Sequence, residues 1–365
     1  MARKLKSDRV LFTAAVLLVC VSMVMVYSAS AALALDRYGQ AYLFLIRQAM
    51  WTALGLATLA VAMRIDYRTY RSDTFIWSLI AAVCVLLVLV LFSAPVNGAR
   101  RWFNLGGLGI QPSEVAKITA VLFTALVLER RMHRIDELSY SLLPLAIVVG
   151  AMSGLILLQP DLGTAASLLM VVGAMVFAAG LNYRYLVGTL IAAATVLYFL
   201  IASSPYRLRR LLAFLNPEAD PLGDGFQVMQ SLIAVGTGGV FGRGLMGGVQ
   251  KLFFLPEPHT DFIYAVIGEE LGLLGATTVL ACFGVIAWRG ARIAVRAHDA
   301  FGSFLALGVT AMIAVQALVN ISVVLGLLPT KGIPLPLVSS GGSSLLVSLL
   351  GVGVLLNVSQ HEEAV

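Results

Sequence analysis

The sequence predicts an all-α polytopic membrane protein, with ten transmembrane helices and one long extracytoplasmic loop, folded as a single integral membrane domain over residues 1–365. Three observations predict it. The chain is 59% hydrophobic and only 12% charged, where a soluble domain carries about 25% charged residues. Apolar runs of about 20 residues, each long enough to cross a hydrocarbon core of about 30 Å, recur from end to end. The Lys and Arg residues of the short connections concentrate on alternate loops, as the positive-inside rule requires.

The first span, 10–35, follows a basic start of Arg3, Lys4, Lys6 and Arg9. Its Ala29-Ser30-Ala31 mimics a leader-cleavage site, but the apolar run outlasts a signal h-region, so the span is expected to be retained. The second span, 42–62, carries Arg47 near its outer end, where the guanidinium snorkels to headgroups. The third covers 75–94. The fourth, 112–128, opens on Gln111-Pro112-Ser113-Glu114-Val115-Ala116-Lys117. Proline suits a first helical turn, and Glu114 suits the positive end of the helix dipole. Glu114 and Lys117, three apart, share a face and can pair; the pair reads equally as a structural ion pair and as the lining of a polar site. The fifth and sixth spans, 141–158 and 162–181, are separated only by Gln159-Pro160-Asp161, a proline-broken hairpin in which Asp161 is placed to N-cap the sixth helix. The seventh span is 184–203.

The long connection 204–261 comes next. From Tyr206 to Phe214 it interleaves Arg207, Arg209 and Arg210 with apolar residues, the pattern of an amphipathic helix lying in the membrane interface. Asn216-Pro217 and Asp220-Pro221-Leu222-Gly223-Asp224-Gly225 read as turns. Phe226 to Val235 is apolar but too short to span. Gly236 to Gly244 is dense in glycine; its amides could approach a phosphate, with Arg243 adding charge, or the run could be a re-entrant loop. The connection ends in Pro256-Glu257-Pro258-His259-Thr260-Asp261 and leads straight into the eighth span, 262–288. The ninth span, 301–326, and the tenth, 343–359, are joined by a proline- and glycine-rich outer segment whose serines, Ser343 among them, can cap the last helix or bond a polar ligand.

Arg64, Arg68 and Arg71, then Arg130, Arg131 and Arg134, then Arg184, then Arg289, Arg292 and Arg296 fall on the side of the basic N-terminus. Both termini are therefore expected to be cytoplasmic and the 204–261 loop extracytoplasmic. The net charge of +6 is explained by these anchors, which removes the argument for nucleic acid as a partner. Cys20, Cys84 and Cys282 all lie in spans and imply neither a disulfide nor a metal site. Ionisable residues inside spans mark function by default; those read here are Arg47, Glu114 and Lys117, all in the outer half. Asp261, at the outer mouth of the bundle, reads equally as a catalytic carboxylate and as a helix cap, although Thr260 could cap in its place.

These pieces in this order resemble the SEDS family (shape, elongation, division and sporulation), which includes RodA, FtsW and SpoVE. The resemblance covers essentially the whole chain. It is carried by Gly98-Ala99-Arg100-Arg101-Trp102, by Gln111 to Lys117, by Gln159-Pro160-Asp161-Leu162-Gly163-Thr164, by Gly225 to Ser231, by His259-Thr260-Asp261-Phe262-Ile263-Tyr264 and by Gly341-Gly342-Ser343-Ser344. Pro329-Thr330-Lys331-Gly332 and Ile267 to Gly272 look like the FtsW branch, which serves division, whereas Ser340 stands where the family usually has an aromatic residue. The resemblance implies a glycosyltransferase that polymerises lipid II into peptidoglycan outside the cytoplasmic (inner) membrane, at the septum, alongside divisome proteins and a class B penicillin-binding protein as transpeptidase. It also maps the family's essential loop aspartate onto Asp261 and its fourth-span acid and lysine onto Glu114 and Lys117.

Such a reaction has a simple chemical need. A sugar 4-hydroxyl attacks an anomeric carbon that bears a lipid diphosphate, already a good leaving group once its charge is balanced. One base and a cationic cradle suffice, unlike the carboxylate pair of glycoside hydrolysis. Asp261 is expected as the base. Lys117, Arg101, Arg210 and Arg243, with Glu114 and Ser343 beside them, are expected to hold the substrate, and Mg or Mn is a candidate divalent cation on the diphosphate. Lys117 is expected near Asp261, favouring its ionised form. A lipid II flippase is the rival reading, disfavoured because the charges stop in the outer half and no inverted repeat of broken helices is evident. A pure division scaffold is disfavoured by the cost of buried charge. The elongation polymerase is the alternative within the family.

Overall fold

The computed structural model describes residues 7–95, 99–105, 108–220, 223 and 225–361. Gly98 of the first motif and the turn residues Pro221, Leu222 and Asp224 lie outside them. Helices stand at each of the ten predicted spans: α1 (Arg9–Tyr38), α2 (Leu43–Arg64), α3 (Asp73–Leu89), α4 (Pro112–Arg131), α5 (Leu143–Leu158), α6 (Leu162–Ala178) and α7 (Tyr183–Ala202), then α10 (Ile263–Arg296), α11 (Ala300–Val324) and α12 (Gly342–Gln360). The long connection holds α8 (Pro205–Leu215), the expected amphipathic helix, and α9 (Phe226–Gly238). Between α3 and α4 a hairpin of β1 (Phe103–Leu105) and β2 (Leu108–Ile110), antiparallel with Phe103 opposite Ile110, adds a small sheet that the hydropathy pattern did not announce.

Local chemistry ends these helices where the sequence says it should. Asp8 caps α1 by accepting from the amides of Val10 and Leu11, and Gly39 closes it at φ 69°. Ser72 caps α3 through the Phe75 amide, and Pro112 occupies the first turn of α4. The centre of the bundle is α11 packed on α10, α4, α6 and α12, with α12 also lying along α2. α4 is buried almost throughout, as is fitting for the helix that carries an internal ion pair. α7 packs chiefly against α8 and leaves Tyr183, Ile191 and Phe199 exposed, an apolar surface suited to lipid.

Ion pairs knit the basic ends together on one face. Arg289 meets Asp8 at 2.5 Å, Arg71 meets Glu129 at 2.9 Å and Arg130 meets Asp73 at 2.8 Å. The Asp8 amide also donates to Ser359 Oγ at 3.1 Å, so the start of α1 and the end of α12 share that face. Along the antiparallel pair of α1 and α10, the next charged contact is Ser28 donating to Glu270. Asp8 and Ser28 are twenty residues apart in sequence, so the two contacts are separated by about 30 Å at 1.5 Å per residue, the thickness of a hydrocarbon core.

One predicted element differs in kind. The eighth span is not a continuous helix: α10 breaks at Gly272, whose φ of 67° and ψ of −165° are far from helical. The break is filled by the glycine run after α9. The amides of Leu273 and Leu274 donate to the carbonyls of Gly239 and Val240, and those of Arg243 and Gly244 donate to the carbonyls of Glu269 and Glu270. The two backbones approach so closely that a Cβ at Gly272 would lie 2.3 Å from the Gly242 nitrogen. Only glycine fits there, both sterically and at that positive φ.

Candidate active site

Asp261 does not cap a helix. α10 begins after Phe262 without a side-chain cap, and the Thr260 hydroxyl turns back to the carbonyl of Glu257 at 3.3 Å. Both capping alternatives are thereby removed, and the Asp261 carboxylate, half-buried, points at the 329–341 segment. There Gly332 lies so close that a Cβ on it would be 2.8 Å from Asp261 Oδ2.

The backbone that carries Asp261 is held at three successive carbonyls. His259 O accepts from the Ser340 amide at 2.9 Å, Thr260 O from the Ser339 hydroxyl at 2.5 Å and Asp261 O from Asn320 Nδ2 at 2.8 Å. Asn320 also donates to Ile333 O at 2.7 Å, so one buried amide on α11 ties both outer segments together. Ser340, the departure from the family pattern, contributes its backbone here, which any residue could supply. His259 is buried against Phe44, ring centroids 4.5 Å apart. Its imidazole is pushed down to about 4 by burial and by Arg37, so it is neutral at physiological pH.

Around the carboxylate the topology gathers charge from four separate segments. The β1–β2 hairpin places Arg101 before it and Gln111 after it. Asp161 caps α6, its Oδ1 accepting from the Thr164 amide at 3.0 Å, which agrees with the sequence reading. The same side chain, only 2% exposed, also accepts from Gln111 Nε2 at 3.1 Å and lies 3.6 Å from Arg101. Arg210, on α8, donates to Thr330 O at 3.3 Å. Lys331, half-buried, has its ammonium driven down chiefly by burial, with Arg207 and Arg210 adding repulsion and Asp161 opposing. Asp261 itself is pushed up to about 7, first by burial and then by Glu257 and Asp161, against the pull of Arg101 and Arg210.

Sequence reasoning placed Lys117 beside Asp261 as its counter-charge; the structure gives that place to Arg101 and Arg210. Lys117 instead pairs with Glu114 at 2.9 Å and donates to Gln316 Oε1 at 2.5 Å, both charged side chains being under 5% exposed. Gln316 passes the connection on to Pro334 O at 2.9 Å, so the pair braces the segment facing Asp261 without touching the carboxylate. Ser343 is likewise engaged within the protein, accepting from the Gln111 amide at 3.2 Å. Arg243 lies 3.8 Å from Glu269, and the glycine run around it packs into the α10 break. It is therefore not an open phosphate cradle: amides that might have met a ligand are spent on α10 carbonyls and carboxylates.

The inventory of charges within spans was also incomplete. Glu269 and Glu270 are fully buried, and Lys251, read as a loop residue, is buried with them, 2.5 Å from Glu270. Both acids were visible inside the eighth span, and the fact that they are adjacent was the missed signal, since two neighbouring carboxylates cannot both face lipid. They too lie toward the outer end, about 30 Å from the Asp8–Arg289 contact by the helix rise given above.

Gly332 offers a direct probe of this geometry. Gly332→Ala should push the Asp261 side chain aside while leaving the fold intact, because the clash is with a side-chain terminus. Activity is expected to fall about tenfold or more with unchanged yield and melting temperature, since a 1 Å misplacement at a reacting centre can cost on the order of 10²-fold. Turnover of purified protein measures the first effect and thermal unfolding in detergent the second.

Residues 8–364 match the FtsW/RodA/SpoVE family, described as cell cycle protein. The chain is 45% identical over 356 residues to a protein of Geobacter metallireducens named probable peptidoglycan glycosyltransferase FtsW, covering 96% of this chain and 94% of that one. It is 41% identical over 364 residues to stage V sporulation protein E of Bacillus subtilis, covering 98% of this chain and 98% of that one. Among solved structures, it superimposes with a TM-score of 0.80 and 34% identity on a chain from work on a peptidoglycan synthase complex that coordinates polymerisation and crosslinking, covering 97% and 98% of the two chains. It also superimposes with a TM-score of 0.73 and 30% identity on the rod shape determining protein RodA of Thermus thermophilus, over 99% of both.

Proposed function

The chain belongs to the FtsW/RodA/SpoVE family of cell cycle proteins, and from that premise we propose that this peptidoglycan glycosyltransferase uses Asp261 as general base to polymerise lipid II at the outer face of the cytoplasmic membrane. The observation that carries the reading is a carboxylate free of any capping duty, under the pull of Arg101 and Arg210 and facing the segment that carries Lys331. A base is most effective when its pKa lies near the working pH, and Asp261 is pushed up to about 7.

In this account the acceptor 4-hydroxyl gives its proton to an Asp261 carboxylate oxygen as its own oxygen bonds the donor's anomeric carbon, and the lipid diphosphate departs with the bonding electrons. Arg101, Arg210 and Lys331 balance the diphosphate charge. Lys331 is the informative member: its ammonium is disfavoured by burial and by neighbouring arginines, and an arriving diphosphate would relieve both costs. Glu114, Lys117 and Ser343 serve the site from behind, by bracing the 329–344 segment and the start of α4.

The described residues bring no three His, Cys, Asp or Glu side chains together as a metal-holding group, and Asp161 is already committed to Thr164 and Gln111. Mg or Mn would therefore enter with the diphosphate and supply additional charge balance there, where Asp261, Glu257 and Asp161 are the carboxylates of the site. The positive-inside pattern supports cytoplasmic termini. The FtsW-like Pro329 to Gly332 and the FtsW relatives support a septal role with divisome proteins, and the synthase complex that the fold matches supports a class B penicillin-binding protein as partner.

The deciding assay is lipid II polymerisation by the purified protein, run beside lipid II movement across sealed vesicles. Glycan strands that appear without a separate polymerase uphold the proposal. Movement without strands would assign the chain to transport instead.

A further inference from the structure

We propose that residues 239–254 form a rigid wedge seated in the outer leaflet of the membrane, with lipid acyl chains as the occupant of its exposed apolar surface. The segment is folded with its polarity inverted. Inside, Lys251 is 6% exposed, and its partner Glu270 and the adjacent Glu269 are both 0% exposed; outside, Phe241 is 81%, Phe253 60% and Leu245 56% exposed. A water-facing loop would reverse that order, because unpaired apolar surface is what water disfavours and charge is what it solvates best. That order suits hydrocarbon, and Arg243, the segment's exposed charge with 41% of its side chain accessible, has the reach to snorkel to the headgroups.

Two further observations select lipid as the occupant. The first is depth. Glu270, to which the segment is tied, meets Ser28 of α1 about 30 Å along the helices from the Asp8–Arg289 pair, which sets the wedge at the outer boundary of the hydrocarbon. The second is backbone accounting. Irregular backbone is tolerated at membrane depth only where its polar groups are satisfied by protein. Here the Met246 amide donates to Glu270 at 3.1 Å and the Val249 amide to Glu269 at 2.8 Å, while the Arg243 and Gly244 amides donate to α10 carbonyls. The two buried carboxylates are thus explained: they absorb the amides of a non-helical segment that has no water to turn to. Met246 and Phe253 hold φ of 64° and 69°, a conformation bulky residues adopt only when their surroundings impose it, and both side chains are presented outward.

The test does not depend on the reaction assigned to Asp261. The full chain is reconstituted in phosphatidylethanolamine and phosphatidylglycerol vesicles that hold no other protein, one portion with a phospholipid carrying a diazirine in its upper acyl chain. After irradiation, adducts are mapped by mass spectrometry; a second portion is footprinted with hydroxyl radicals. Acyl adducts on 240–254 should come within about threefold of those on the exposed side of α5 around Ile147, as expected for a segment in the interface, and Met246 and Phe253 should resist the radicals. Adducts at the level of the exposed turn containing Glu218, with radical oxidation of Met246 and Phe253 matching that turn, would overturn the proposal and assign the patch to a protein partner.

Discussion

Asp261→Asn is expected to abolish polymerisation, by at least ~10²-fold and up to ~10⁴-fold, the range supplied by a positioned general base, without harming the fold. The carboxylate makes no helix-capping bond, so the amide loses nothing structural. Stability should in fact move the other way at alkaline pH. Burial raises the Asp261 carboxyl from 3.8 to about 7 in the folded protein. Between those values the folded state keeps a proton that the unfolded chain has released, so stability falls as pH rises through this window. Above it the native protein bears the full cost of a buried charge, and Asp261→Asn does not. At pH 8 the variant should therefore melt at or above the native temperature while forming no glycan. An Asn variant with near-normal turnover would make Asp261 a polar contact and the mechanism wrong.

Lys117→Met is expected to cost far more stability than Asp261→Asn or Gly332→Ala. Lys117 and Glu114 are a buried pair, 4% and 3% exposed, and removing one partner of such a pair costs on the order of 3–5 kcal/mol. The Gln316 oxygen loses its donor as well. Replacing both charges should recover much of that loss, since a neutral pair is about as acceptable in the interior as an ionic one. Thermal unfolding of Lys117→Met and of Glu114→Gln/Lys117→Met in one detergent checks this. A single variant as stable as the native protein, or a double variant no better than the single, would contradict the bracing role. If the double variant is stable and active, Lys117 does not hold diphosphate.

The ten spans were legible because hydropathy is a one-dimensional signal and each span satisfies it alone. Asp161 as a cap and α8 as an amphipathic helix were legible for the same reason: three to eleven consecutive residues decide them. What escaped the sequence needs two segments at once. Gly272 sits in an apolar stretch and looks like any tolerated helix glycine until the carbonyls of Gly239 and Val240 arrive to accept from Leu273 and Leu274. The glycines of 236–244 read both as a phosphate cradle and as a re-entrant loop, because open amides and close backbone packing demand the same residue type. Arg243 followed the first of these readings, whereas its partner Glu269 lies across the loop. Likewise Asn320 and Ser339 could not be foreseen as the donors that fix Asp261, since nothing local in α11 or the 329–341 segment points at residues 260 and 261.

The most direct test of the central claim is the pH dependence of turnover by the purified protein on lipid-linked disaccharide. Asp261 must be ionised to accept a proton, so below its pKa the rate should climb about tenfold per pH unit and level off above an apparent pKa of about 7. Arg101 pulls that value down, so Arg101→Gln should move the rising limb to higher pH in addition to weakening substrate binding. A rate that is flat from about pH 5.5 to about pH 8.5 in the native protein would mean that no carboxylate with a raised pKa acts as the base, contradicting the assignment of Asp261.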